Sequence, residues 1–195
     1  EDMERMGGVI DNTDKDYLDT PVLMHVKARL PWLLVLMVSY VFTGGMIASF
    51  EKSLSAVIAL VAYMPMLMGT GGNSGTQSST VIITGMATGD LELSDVLRVL
   101  WKEFRIGIIV GICVSILNYM RIVAFDHNGS LVALTVCLSM VLIVIIAKCI
   151  GALLPMIAKK IGIDPALIAG PMMASLTDMV ALGTYFTMAR LVLKI

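Results

Sequence analysis

An all-α integral membrane protein with five transmembrane helices per chain is the fold class this sequence predicts. Three observations predict it. Of 195 residues, 57% are hydrophobic and 15% charged, with a mean hydropathy of +0.88, whereas a soluble domain carries about a quarter charged residues. Apolar runs recur at a length that crosses a bilayer core, which takes about 20 helical residues for roughly 30 Å. A lone acid, Asp178, interrupts the last of these runs, and its charge asks for a partner.

The spans follow in order. Residues 1 to about 20 read as a cytoplasmic segment with seven acids against two bases up to Asp19. With no signal peptide and no initiating Met, the chain is expected to be a fragment of something longer. Residues 1–29 are taken as a connecting and interfacial segment, with 21–29 a short interfacial helix ahead of Pro31. Residues 30–195 are the five-helix domain. Leu30 to Phe50 is 21 residues without a charge and forms the first span. Ser53 to Gly89 is 37 uncharged residues, about 55 Å as one straight helix. It is therefore expected to be broken, tilted or extended past the membrane, with Pro65 and its glycines the place to break. Asp90 to Arg105 is a charged amphipathic connector. Ile106 to about Phe125, Gly129 to Ala158 with Lys148, and Pro165 to Ala189 with Asp178 are the third, fourth and fifth spans.

Lys and Arg counts orient the spans. The N-terminal segment, the 90–105 connector and the 159–164 loop hold nine bases, and the other side holds four. The N-terminus is thus expected in the cytoplasm and the C-terminus outside, in a multi-pass protein of the inner (plasma) membrane. A net charge of −1 gives no hint of a nucleic-acid partner. Cys113, Cys137 and Cys149 lie in apolar runs with no CxxC, and read as small hydrophobes.

Two places could carry chemistry. Asp178 has 13 uncharged residues before it from Pro165 and 11 after it to Ala189, which places it near the midplane. A charged side chain at that depth costs about 3 kcal/mol by insertion scales. It should face water, an ion or a cation, the structural alternative being an ion pair with Lys148. Lys148 otherwise reads as a snorkelling or interface residue. The second place is GTGGNSGTQ at 69–77. An unwound stretch there would expose carbonyl oxygens beside the Asn amide, the ligands that hard cations take. The alternative is helix packing through small residues, which is also the reading of the Gly107–Gly111 GxxxG pair. One Asp per chain offers one negative charge, and a two-fold dimer offers two to a divalent ion. Mg²⁺ gives up water reluctantly, so such a pair would hold it hydrated.

Enzyme readings fare worse. Gly72-Asn73-Ser74-Gly75 fits the GxSG of intramembrane serine proteases, but His25 and His127 both lie near span ends, away from Ser74. An aspartyl protease would need a second intramembrane acid. A purely structural membrane protein leaves Asp178 and the broken second span without a reason.

PMLMGTGGNSGTQSS at 65–79 with GMATGDL at 85–91 resembles the second membrane helix of the MgtE magnesium channels. IDPALIAGPMMASLTDMVALGTYF at 163–186 resembles their fifth, and RLPWLLVLMVSYVFTGGMIASFE at 29–51 their first. The resemblance implies a homodimer of five-helix chains with the pore between second and fifth helices. It implies that Asp178 holds hydrated Mg²⁺ with the Ala174 backbone close by. It places Gly69 and Asn73 in the narrow cytoplasmic part of the pore, and Asp164 at a regulatory Mg²⁺ site at the cytoplasmic mouth. Family members carry a cytoplasmic N domain and paired CBS domains ahead of the membrane part, regulatory partners expected to be absent from this chain, and many have Arg where Thr84 stands. The expected function is Mg²⁺ passage through the dimeric pore, with no enzymatic activity. Mg²⁺ is at once cargo and ligand, and Gly69, Gly72 and Asn73, with Thr70 and Gln77 as further candidates, form the neck. The alternative is a Na⁺- or H⁺-coupled exchanger.

Overall fold

Helices are the only extended regular structure among the residues that the computed structural model describes, which are residue 9 and residues 17–50, 58–126 and 129–194. The order is α1 (Val22–Ser49), α2 (Ala59–Thr88), a 3-10 turn (Leu93–Asp95), α3 (Val96–Arg121) running into a π-helical turn (Ile122–Asp126), α4 (Ser130–Lys160), α5 (Pro165–Ala169) and α6 (Pro171–Leu193). His127 lies outside the described residues.

Among the described residues, four helical stretches are long and apolar enough to cross a membrane: α1, Leu93–Asp126, α4 and Met172–Leu193. α2 is long enough at 30 residues, but its Gly, Ser, Thr, Asn and Gln dilute it below the apolarity of a plain lipid-facing span.

Three boundaries differ from expectation. The 21–29 segment is not a separate interfacial helix: α1 runs from Val22 through Pro31 without a break. Residues 96–105 are not a connector but the first turns of α3. The third concerns unwinding. α2 is continuous through Pro65 and all its glycines, because a helix satisfies its own backbone in an apolar setting and leaving it would strand N–H and C=O groups. The interruption falls in the fifth span instead, at Gly170, with φ −94° and ψ −104°. Pro171 explains it: proline disfavours the helical conformation in the residue before it and suits the first position of a new helix.

α4 sits at the centre, packed on α2, α3, α5 and α6. Its contact with α3 is a ladder of small residues. A Cβ on Gly107 would lie 2.9 Å from Ile145 Cα, and one on Gly111 3.1 Å from Val141 Cα. One rung further, Ser115 Oγ donates to the Cys137 carbonyl at 2.9 Å. The paired numbers run in opposite directions, so the helices are antiparallel, and the Gly107–Gly111 pair is a packing motif. α2 closes on α4 in the same way, with Gly151 against the Gly75 carbonyl.

Leu60, Tyr63 and Leu67 of α2 form the main core with Met140 and Ile143 of α4 and Leu182, Tyr185 and Phe186 of α6. The buried Tyr185 hydroxyl donates to the Leu60 carbonyl at 2.9 Å. The π turn brings Asp126 to Arg121 at 3.2 Å, and Tyr63 donates to its carboxylate at 2.8 Å. α1 packs on α6 near its own C-terminal end, where Phe50 stacks on Phe186 at 4.6 Å. Along the rest of α1 only Ala28 and Thr43 are buried.

Candidate ion-pathway site

α2 has two unlike faces. Leu67, Gly71, Ser74, Gly75, Ser78, Ile82 and Met86 are buried against α4 and α6. Gly69, Asn73, Gln77, Thr80 and Thr84 are exposed on the other side, at the three- and four-residue spacing that keeps side chains on one face. Thr70 and Gly72 flank that face, half-buried. Elsewhere the exposed side chains along the spans are mostly aliphatic, among them Ile109, Ile112 and Ile116 on α3 and Leu131, Leu134 and Leu138 on α4. An exposed stripe of amides and hydroxyls on a helix between apolar spans suits water or a partner, not acyl chains.

α6 lies beside this stripe. A Cβ on Gly72 would be 3.7 Å from the Thr177 hydroxyl, and Gly75 faces Met173 and Thr177. The glycines therefore let α6 approach closely at Thr177, and Asp178 is the next residue along that helix. Asp178 is half-buried and makes no hydrogen bond or ion pair among the described residues. Ala174, one turn before it, is also half-buried, and its carbonyl accepts from Thr177 Oγ1 at 3.0 Å. Asp164 stands apart from these groups in sequence and caps α5, its Oδ1 accepting the Ala166 N–H at 2.9 Å. No three His, Cys, Asp or Glu side chains among the described residues come together to hold a metal.

Two expectations need correction. α2 offers no unwound carbonyls over 69–77, since its backbone bonds stay within the helix. Polar reach on that face comes from the side chains of Asn73 and Gln77. Lys148 does not pair with Asp178, nor does it snorkel: it is 5% exposed and donates to Ser78 Oγ at 3.5 Å. Ser78 in turn donates to Glu103 Oε2 at 2.5 Å, and Glu103 is 7% exposed. Sequence reasoning missed Glu103 by assigning it to the charged connector. The signal was present: Val99, Glu103, Gly107, Gly111 and Ser115 recur every four residues on the buried face of α3.

Comparison with known proteins adds the family. The model described as "MgtE: Divalent cation transporter" matches residues 64–188. The chain belongs to the MgtE family. It is 39% identical over 194 residues to a protein of Thermus thermophilus named magnesium transporter MgtE, covering 100% of this chain and 42% of that protein. It is 33% identical over 192 residues to the Bacillus subtilis protein of the same name, covering 93% of this chain and 42% of that one. The Enterococcus faecalis protein of that name is 29% identical over 172 residues, 88% of this chain and 38% of its own length. The chain thus spans under half the length of these relatives. With its apolar helices, it is a multi-pass membrane protein.

Proposed function

We propose that this MgtE-family chain carries Mg²⁺ across the membrane through a pore formed between two copies, lined by the outer face of α2 and by Asp178 and Ala174 of α6. The observation that carries the reading is the pairing of an exposed polar stripe on α2 with a half-buried Asp178 on the neighbouring helix that has no partner among the described residues. In this reading α2 also crosses the membrane, which brings the spans to five, and it is shielded from lipid by the second copy on its polar side. The mostly uncovered α1 gives the assembly further apolar surface to bury.

Two copies bring two Asp178 carboxylates to one axis, which balances a 2+ ion. Mg²⁺ holds its first water shell tightly, so the carboxylates recognise it through its waters. Asn73, Gln77 and the narrow surface at Gly69, Gly72 and Thr70 then select by size and hydrogen-bond geometry. Asp164, at the start of α5, serves as a Mg²⁺-responsive acid at the cytoplasmic mouth, with the N-terminus on that side as the Lys and Arg distribution favours. The name that the three relatives share, magnesium transporter, supports the choice of ion.

Reconstituted in liposomes, Asp178→Ala is expected to lose Mg²⁺ flux while keeping a folded, assembled protein. Asp178→Asn preserves volume and separates charge from shape. Flux at the unaltered rate in both variants would defeat the pore assignment.

A further inference from the structure

The two faces of α2 are useful only if something fixes the rotation between them. Between Leu67 and Ile82 its contact face is built of small residues: Gly71 and Gly75 lie between α4 and α6, Gly72 lies on α6, and Gly151 stands opposite Gly75. Such contacts allow close approach but lack the interlocking side chains that set helix register elsewhere. Among the described residues, side-chain hydrogen bonds join α2 to other helices near its ends, from Tyr185 to Leu60, from Tyr63 to Asp126 and from Lys159 to the Met86 carbonyl. In the stretch between, they converge on Ser78.

Three helices meet at that hydroxyl. Ser78 of α2 donates to Glu103 of α3 at 2.5 Å and accepts from Lys148 of α4 at 3.5 Å. Two buried opposite charges are thus joined through one serine, and removing either charge leaves the other buried and uncompensated. The group lines a cavity of ≈ 370 Å³ whose wall also includes Gln77 and Lys102. Gln77 immediately precedes Ser78, one step of about 100° around the helix. Fixing Ser78 therefore fixes where Gln77 points and, one turn earlier, Asn73.

We propose that Glu103, Ser78 and Lys148 form a positioning clasp that sets the rotation of α2 and, by aiming Gln77 and Asn73, the ion preference of the path. The effect on ion preference rests on the reading of the outer face of α2 as that path. The effect on rotation does not.

The test uses the chain in liposomes with two readouts. One is the rate at which Gln77→Cys reacts with a water-soluble maleimide, above the background of the chain's own cysteines. The other is the ratio of Mg²⁺ to Ca²⁺ flux per folded protein. Glu103→Gln and Lys148→Met are each expected to change the labelling rate and the flux ratio about tenfold, the weight of a hydrogen bond to a charged group. The pair Glu103→Gln/Lys148→Met removes both charges and is expected to return both readouts toward the unaltered values. Unchanged labelling and ratio in single variants that only yield less folded protein would overturn the proposal, because that is a purely structural role. If the single variants do not fold, Ser78→Thr keeps the hydroxyl and should preserve both readouts, whereas Ser78→Ala should shift them. Ser78→Ala behaving as the unaltered chain also overturns it. If the unaltered chain carries no Mg²⁺, the reading of the path fails, and the labelling arm still decides the clasp.

Discussion

Asp178 and Lys148 are both charges set within apolar runs, and their surroundings separate them. Lys148 is enclosed and answered by Ser78 and Glu103, whereas Asp178 is half-exposed with no protein partner among the described residues. The first arrangement holds helices together, and the second is available to an ion. Tyr185 belongs with the first. Its phenol is buried and its hydroxyl reaches the Leu60 carbonyl at 2.9 Å, tying α6 to the start of α2. Tyr185→Phe removes that bond with little change of volume, and a loss of about 1 kcal/mol is expected. A lowered thermal midpoint in detergent, with flux per folded protein unchanged, is the checking measurement. The sequence pointed to Asp178 because a carboxylate is costly in lipid wherever it sits. It could not reveal that Lys148 faces elsewhere, since that depends on which helix packs beside α4.

At the scale of helices, glycine does two jobs. Gly75, Gly107, Gly111 and Gly151 are contact surfaces where a Cβ would strike a neighbour. Gly44 and Gly69 have open space around the same position. Gly151→Ala is therefore expected to drive α4 off α2 at a cost of about 1–3 kcal/mol or more, whereas Gly44→Ala should stay within about 0.5 kcal/mol. Thermal unfolding of the two variants beside the unaltered chain checks the contrast, and equal midpoints would contradict the packing described for α2 and α4. The run at 69–77 was legible as special, yet its local meaning was not. Small residues serve an unwound loop or a close helix contact equally well in sequence, and only the presence of α4 and α6 alongside decides for the contact.

For the whole molecule, α4 is the hub and α1 the outlier, touching the bundle mainly through α6. The polar stripe of α2 and the apolar length of α1 both leave surface that one copy does not cover. The protein solubilised in mild detergent is accordingly expected to show twice the chain mass of 21.0 kDa, after correction for bound detergent by multi-angle light scattering. A single-chain mass at working concentration would argue against a pore between copies.

Hydropathy and spacing sufficed for the helical class, four of the apolar spans, the Gly107–Gly111 contact and the candidacy of Asp178, because each depends on a transfer cost or a helical period that the chain carries locally. Tertiary structure decided that α2 stays wound and that the fifth span is interrupted at Gly170. It also decided that Glu103 and Lys148 meet through Ser78. Those outcomes turn on which backbones approach one another and which buried charges find a counterpart, and such choices exist only once the helices are packed.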